Sequence, residues 1–332
     1  MRGGFAPVVV FVLLAASGCR SGRTVTVYTS VDQAQAEPIL KDFETRTGIQ
    51  ARPLFDVEAS KTTGLVSRLL AEKPRPRADV FWNNEFAQTL LLKQRKVLAA
   101  YDSPMARGLP ERYRDPEHTW AGAGGRLRVL LVNTTQVRPG QTPRSLAALA
   151  AASFPPGRIG LALPLFGTSA THAAALYASL GREKARALYA AIVKKGWRIV
   201  DGNSVVRDLV VSGQLAAGIT DSDDACGALG SGAPVKILAL DDTLVIPGTV
   251  AMIAGAPHPA EARALIDYLL EPSTERKMMD SGFAQLSLHD AALRAPCLVD
   301  LTAPAGGPGM EALAARFEQS RADMTDLFVR AR

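Results

Sequence analysis

Asp221-Ser222-Asp223-Asp224 sets three carboxylates directly after an apolar run, Ala217 to Thr220. Carboxylates gathered where water is scarce need a compensating positive charge, and hard metal ions prefer such oxygen ligands. Asp32, Glu58 and Glu85 follow other strand-like runs. Asp32, Glu58, Glu85, Asp221 and Asp223 therefore form a candidate metal-ligand set, with Asp224 beside it. The plainer account makes the Asp221 segment a solvated turn that caps the next helix.

Two hydroxyl-rich helix starts offer the opposite chemistry. Ser60-Lys-Thr62-Thr63 opens one helix and Gly167-Thr168-Ser169-Ala170-Thr171 another, and uncapped N–H groups at such starts favour anions. Simple N-capping explains each start equally well when it is taken alone. Ser30, Asn84, Asn203 and Ser222 sit in the same class of segment, just past a strand. Trp82 adds a ring that suits stacking or a cation–π contact, or else a place in the core.

Other chemistry is poorly supported. Asp-x-Asp at residues 221 and 223 opens EF-hand loops, but the glycine and terminal glutamate of such loops are missing here. His118, His172, His258 and His289 are not at metal spacing, although His172 follows the Gly-Thr-Ser loop closely enough to line a cleft. Gly-x-Ser-x-Gly is absent and no cysteine has an obvious base, so a binding protein is expected rather than an enzyme.

The positioning elements read as alternating strands and helices, the pattern of an α/β protein. Val25 to Tyr28, Ala51 to Phe55, Ala78 to Trp82 and Arg126 to Asn133 read as strands. Ile39, Leu40 and Phe43 make a helical stripe that Gly48 stops. After a proline-bearing link, Pro139 to Pro143, a second series runs through Arg158 to Ala162, helices at Ser169 to Leu180, Lys184 to Lys195 and Ser204 to Val211, and strands at Ala217 to Thr220 and Val235 to Leu240. Leu244 to Ala254 and helices at Ala260 to Leu270 and Ser273 to Ser281 return to the first series, and Met310 to Leu327 is expected to dock across it. The predicted division is lobe 1 at 25–130 and 242–332, and lobe 2 at 131–241. At 332 residues with 47% apolar content, the chain exceeds the size at which one core usually splits.

The amino-terminal end reads as an export signal: Arg2, an apolar stretch from Phe5 to Ala16, and a small-residue site ending at Cys19. Residues 1–18 would be removed, and the lipobox-like Gly18-Cys19 would make Cys19 a lipid-bearing first residue on a short tether, 19–24. Cys226 and Cys297 remain to pair or to stay as separate buried thiols. The net charge of +6 comes from scattered arginines with no basic run, so no nucleic acid partner is expected.

Val25-Thr-Val-Tyr28, Phe43 to Ile49, Ala78 to Trp82, Asp201-Gly-Asn-Ser-Val205 and Ile246 to Ile253 together resemble the ferric-iron-type substrate-binding proteins of ABC importers. The resemblance implies a bilobal, type II periplasmic-binding fold with a two-strand hinge, a ligand in the cleft between lobes, and no resident cofactor. It also implies a monomer that hands its ligand to a permease and ATPase, working in the periplasm or at the cell surface. In that resemblance Ser169, Ala170 and Asn203 fall where a synergistic anion is held. The family's tandem tyrosines are replaced by Asp221 to Asp224, its histidine falls near Asp32, and its glutamate near Asn84 or Glu85. Three ligand classes stay open: ferric iron with or without an anion, a phosphonate or sugar phosphate, and a polyamine or thiamine-like cation.

Overall fold

The computed structural model describes residues 22–56, 63–138, 140, 143–301 and 307–330. The expected signal segment, Cys19 and half of the tether lie outside them. The strands are β1 (Thr24–Thr29), β2 (Gln50–Phe55), β3 (Val80–Asn83), β4 (Leu98–Ala99), β5 (Ala121–Asn133), β6 (Ile159–Ala162), β7 (Arg198–Val200), β8 (Ala217–Asp221), β9 (Val235–Leu238) and β10 (Val245–Ile253). The α-helices are α1 (Gln33–Thr47), α2 (Thr63–Glu72), α3 (Ala87–Gln94), α4 (Leu146–Ala151), α5 (Gly167–Leu180), α6 (Arg182–Lys194), α7 (Asn203–Val211), α8 (Ser222–Gly230), α9 (Pro259–Leu269), α10 (Pro272–Asp280) and α11 (Met310–Thr325).

The strands run β2-β1-β3-β10-β5-β8-β6-β7, with β4 on β10 and β9 on β5. Parallel pairs lie at both ends of this order, β1 with β2 and β3, and β6 with β7 and β8. Each parallel group needs helical crossovers, which buries its strands on both faces and accounts for the continuous apolar runs. In the middle, β5 joins the two groups. Its first half pairs antiparallel with β10, and its second half pairs with β8 and β9. The change of partner falls between Leu127 and Arg128, where the Arg128 N–H also reaches Leu244 O at 2.9 Å. The chain crosses back between β9 and β10, so two adjacent crossings form the two-strand hinge that the resemblance implied.

Local chemistry explains the elements. Ile39, Leu40 and Phe43 bury one face of α1, and Gly48 ends it at φ 68° with its N–H on Glu44 O. Helix α5 is unusual in being buried nearly all round over its first eleven residues, as befits a helix trapped between two bodies. Ala170, Ala174 and Ala175 pack with Phe81 and Phe86 of the first half, while Ala173, Leu176 and Tyr177 pack with Tyr189 and Ile192 of the second. Helix α11 spans the same boundary: Leu313 and Phe317 join Phe86 and Leu90, and Met324 joins Tyr177 and Tyr189. The terminal helix, expected on lobe 1, thus reaches the second half as well. Cys226 in α8 and Cys297 form a disulfide, closing the question the sequence left open.

Candidate functional site

The ends of β3, β6, β7 and β8 and the starts of α1, α5, α7 and α8 meet around a cavity of about 100 Å3. Its wall includes Asp32 and Asn84 from one half and Thr168, Ser169, Asn203 and the Asp221 segment from the other. Ligands in open α/β sheets sit past the carboxyl ends of strands, and this cavity lies at that place for both halves.

The floor is built from charge. Arg128 and Asp221 face each other in the register of β5 and β8. Arg128 Nη1 donates to Asp221 Oδ1 at 2.7 Å, to Asn203 Oδ1 at 2.9 Å and to Thr168 Oγ1 at 3.2 Å. Asp221 Oδ2 accepts from Thr168 Oγ1 at 2.6 Å and Asn203 Nδ2 at 3.0 Å. Burial alone would raise the Asp221 pKa, but the charges of Arg128 and Arg126 outweigh it and hold the carboxyl below its usual range.

Arg126 stands two residues earlier on β5. Its Nη1 donates to Asp223 Oδ2 at 3.0 Å, and its Nη2 donates to the Asn84 carbonyl of the first half. Burial works against this guanidinium, yet Asp223 and Asp221 hold its pKa above normal, so it stays charged. Asp224 accepts from Arg207 Nη1 at 2.9 Å and from Thr220 Oγ1 at 3.1 Å. Burial, then the charges of Asp223 and Asp221, push Asp224 up to about 7, and burial outweighs the Arg126 charge to raise Asp223 as well.

Helix starts supply the other donors. Phe166 precedes α5 and Gly202 precedes α7, and neither helix has a side-chain cap. Helix geometry leaves the first-turn N–H groups of Gly167, Thr168 and Ser169, and of Asn203 and Ser204, without intrahelical acceptors. All five residues line the cavity.

Eight of the residues expected in the site reach it: Asp32, Asn84, Thr168, Ser169, Asn203, Asp221, Asp223 and Asp224. Six do not. Trp82 is fully buried and meets Phe283 edge to face at 5.7 Å, because its strand faces the core there rather than the cleft. Glu85 is buried as well. It accepts from the N–H groups of Ala87 and Gln88 and from Thr171 Oγ1, so it holds the start of α3 and its burial raises its pKa.

Thr171 is spent on that bond, and Ala170 packs in the core one turn into α5. Ser30 holds Asn83 and Asn84, its hydroxyl donating to Asn83 Oδ1 at 2.6 Å and accepting from the Asn84 N–H at 3.0 Å. Ser222 accepts from Leu127 N–H and donates to Gln285 Oε1 at 2.7 Å, which fixes the start of α8 against the hinge strand. His172 is buried, and burial followed by the charge of Arg128 drives its pKa down to about 3, so it is neutral and away from the cleft. Glu58, Ser60 and Thr62 lie outside the described residues, as does the side chain of Thr63.

The expected metal set is therefore not assembled. Glu85 is turned into the interior, Asp221 and Asp223 are already paired with arginine, and among the described residues no three His, Cys, Asp or Glu side chains are placed to hold an ion. Arg126, Arg128 and Asp201 are the site residues that sequence reasoning missed. Two arginines two apart on a strand buried along its whole length share one face and must find partners there, but that burial is shown by the structure and not by the sequence.

The chain belongs to the bacterial extracellular solute-binding proteins, whose family model matches residues 24–284. Among solved structures, it is similar to iron-bound HitA from Pseudomonas aeruginosa, with a TM-score of 0.78, 21% identity, and coverage of 91% of this chain and 99% of that one. The ferric binding protein from Campylobacter jejuni gives a TM-score of 0.80 at 16% identity, covering 92% and 99%. AfuA from Actinobacillus pleuropneumoniae, with exogenous fructose-6-phosphate bound, gives 0.80 at 18% identity, covering 94% and 100%. These likenesses establish the type II periplasmic-binding fold.

Proposed function

We propose that this protein captures a small organic anion, a phosphate, phosphonate or carboxylate, and delivers it to the permease and ATPase of an ABC importer. One observation carries the reading. The carboxylates that suggested a metal are matched by Arg126 and Arg128, and the Thr168 and Ser169 hydroxyls are spent on Asp221 and Asn203, so the donors left facing the cavity are Arg126 and the backbone N–H groups that open α5 and α7. Phosphorylated and carboxylated solutes are complementary to that set. The fructose-6-phosphate held by AfuA shows that a neighbour with this fold accepts such chemistry. Ferric iron, the expectation raised by the resemblance and by the iron bound to HitA, has fewer free ligands here.

In this reading the protein is a monomer and not an enzyme, it binds no nucleic acid, and Cys19 anchors it by lipid outside the cytoplasm. The test is calorimetric titration with ethyl phosphate and ethylphosphonate, alongside iron analysis of ferric-loaded, desalted protein. Binding of either organic anion that is lost in Arg126→Met supports the reading. Near-stoichiometric retained iron with no anion binding would sink it.

A further inference from the structure

The cavity is not matched to a plain anion. Five carboxylates stand at it, those of Asp32, Asp201, Asp221, Asp223 and Asp224, against three guanidiniums bonded to the last three of them. The charged groups are placed unevenly. Arg126 and the starts of α5 and α7 make a positive side. Asp223 and Asp224, in consecutive positions at the start of α8, make a negative one.

Two groups in this arrangement each leave one buried atom without a hydrogen-bond partner among the described residues, as does the Nε of Arg128 beside them. Arg126 is 5% exposed and lines the cavity, and its Nε–H has no acceptor. Asp223 gives one oxygen to Arg126, while its buried Oδ1 accepts nothing. A buried donor without an acceptor and a buried acceptor without a donor, at one small cavity, call for a ligand that supplies both.

We infer that the solute is a compact zwitterion: an anionic group seated at Arg126 and the starts of α5 and α7, and an ammonium group seated at Asp223 and Asp224. The inference rests on the anion reading above and narrows it. Proton linkage supports it in sign. Asp224, raised to about 7, faces Asp223 on its own helix, Arg207 from α7, Asp221 from β8 and Arg126 from β5, with Asp201 and Asp32 at the same cavity. An ammonium group ionises this pair and releases protons on binding, whereas an anion alone draws protons in.

The test is calorimetric titration of the protein at pH 7 with phosphoethanolamine, ethyl phosphate and ethanolamine, repeated in buffers of different ionisation enthalpy. Phosphoethanolamine is expected to bind at least about 10-fold tighter than ethyl phosphate, with net proton release relative to it. Asp223→Asn and, as a second variant, Asp224→Asn are expected to shrink that ratio to less than about 3-fold. Equal affinity for the two phosphates in the wild type overturns the zwitterion and leaves the anion reading standing. Binding of neither phosphate, or of ethanolamine more tightly than ethyl phosphate, overturns both.

Discussion

Arg128 and Asp221 are both nearly inaccessible to water, at 1% and 3% exposure, and each is the other's main counter-charge. Removing one partner of a buried pair strands the other, at a cost of about 3–5 kcal/mol, whereas removing both costs far less. Arg128→Met is therefore expected to lower the unfolding free energy in urea by about that amount. Adding Asp221→Asn should restore much of it, and a double variant as unstable as the sum of the single ones would show that the pair is not coupled. Asp224 makes a prediction in pH. It holds its proton more tightly in the fold than in the unfolded chain, where its pKa is about 4. The folded state thus carries an extra proton between about pH 4 and 7, and stability contributed by this group falls as pH rises through that window. Asp224→Asn should raise Tm relative to wild type more at pH 8 than at pH 5. The same difference at both pH values would contradict the raised pKa. At this scale the sequence displayed the acidic cluster and the hydroxyl-bearing starts of α5 and α7, because those residue types stand out after strands. It did not display the arginines as their partners, since a lone charged residue in a strand reads as solvent-facing until the burial of both faces is known. Trp82 failed for the related reason that strand position fixes an alternation and not which face is core.

Elements were more legible than residues. Helices α1, α5, α6 and α7 and strands β1, β2, β6, β8 and β9 match the apolar runs and the glycine stops nearly end to end, because burial of those faces is what forms them. Strand β5 begins five residues before the apolar run that announced it. Its opening, Ala121 to Gly125, is small rather than apolar because the segment around Leu286 and Leu288 lies against it: a Cβ at Gly125 would stand 2.9 Å from Leu288 Cδ2 and 3.2 Å from Leu286 O. A similar close approach governs the seat of α7. At Gly218 of β8 a Cβ would stand 2.3 Å from Val206 Cγ1, so α7 lies directly on the strand. Gly218→Ala must lift that helix, at a cost of about 1–3 kcal/mol for overpacking. Because Asn203 and Ser204 open the same helix, the variant is expected to weaken phosphoethanolamine binding as well as lower the urea midpoint. Wild-type affinity in a destabilised Gly218→Ala would show that the start of α7 takes no part in the site.

Across the whole molecule, the two halves are joined more closely than a bilobal outline suggests. The chain passes between them along β5, again between β9 and β10, and is spanned a third time by α11. Arg126 adds a polar link, reaching Asn84 on one side and Asp223 on the other, and Thr171 to Glu85 adds another. Two parallel strand groups around a shared pair of strands make up the type II periplasmic-binding fold; the order of apolar runs announced an α/β protein, and the resemblance implied its two lobes. The disulfide changes what that chain is topologically. Cys226 and Cys297, 71 positions apart, turn β9, β10, α9 and α10 into a closed covalent ring, and the return crossing between the halves lies inside it. A single protease cut within the ring opens the backbone but frees no fragment: the nicked protein keeps its full mass until a reductant is added, and it comes apart in two only then.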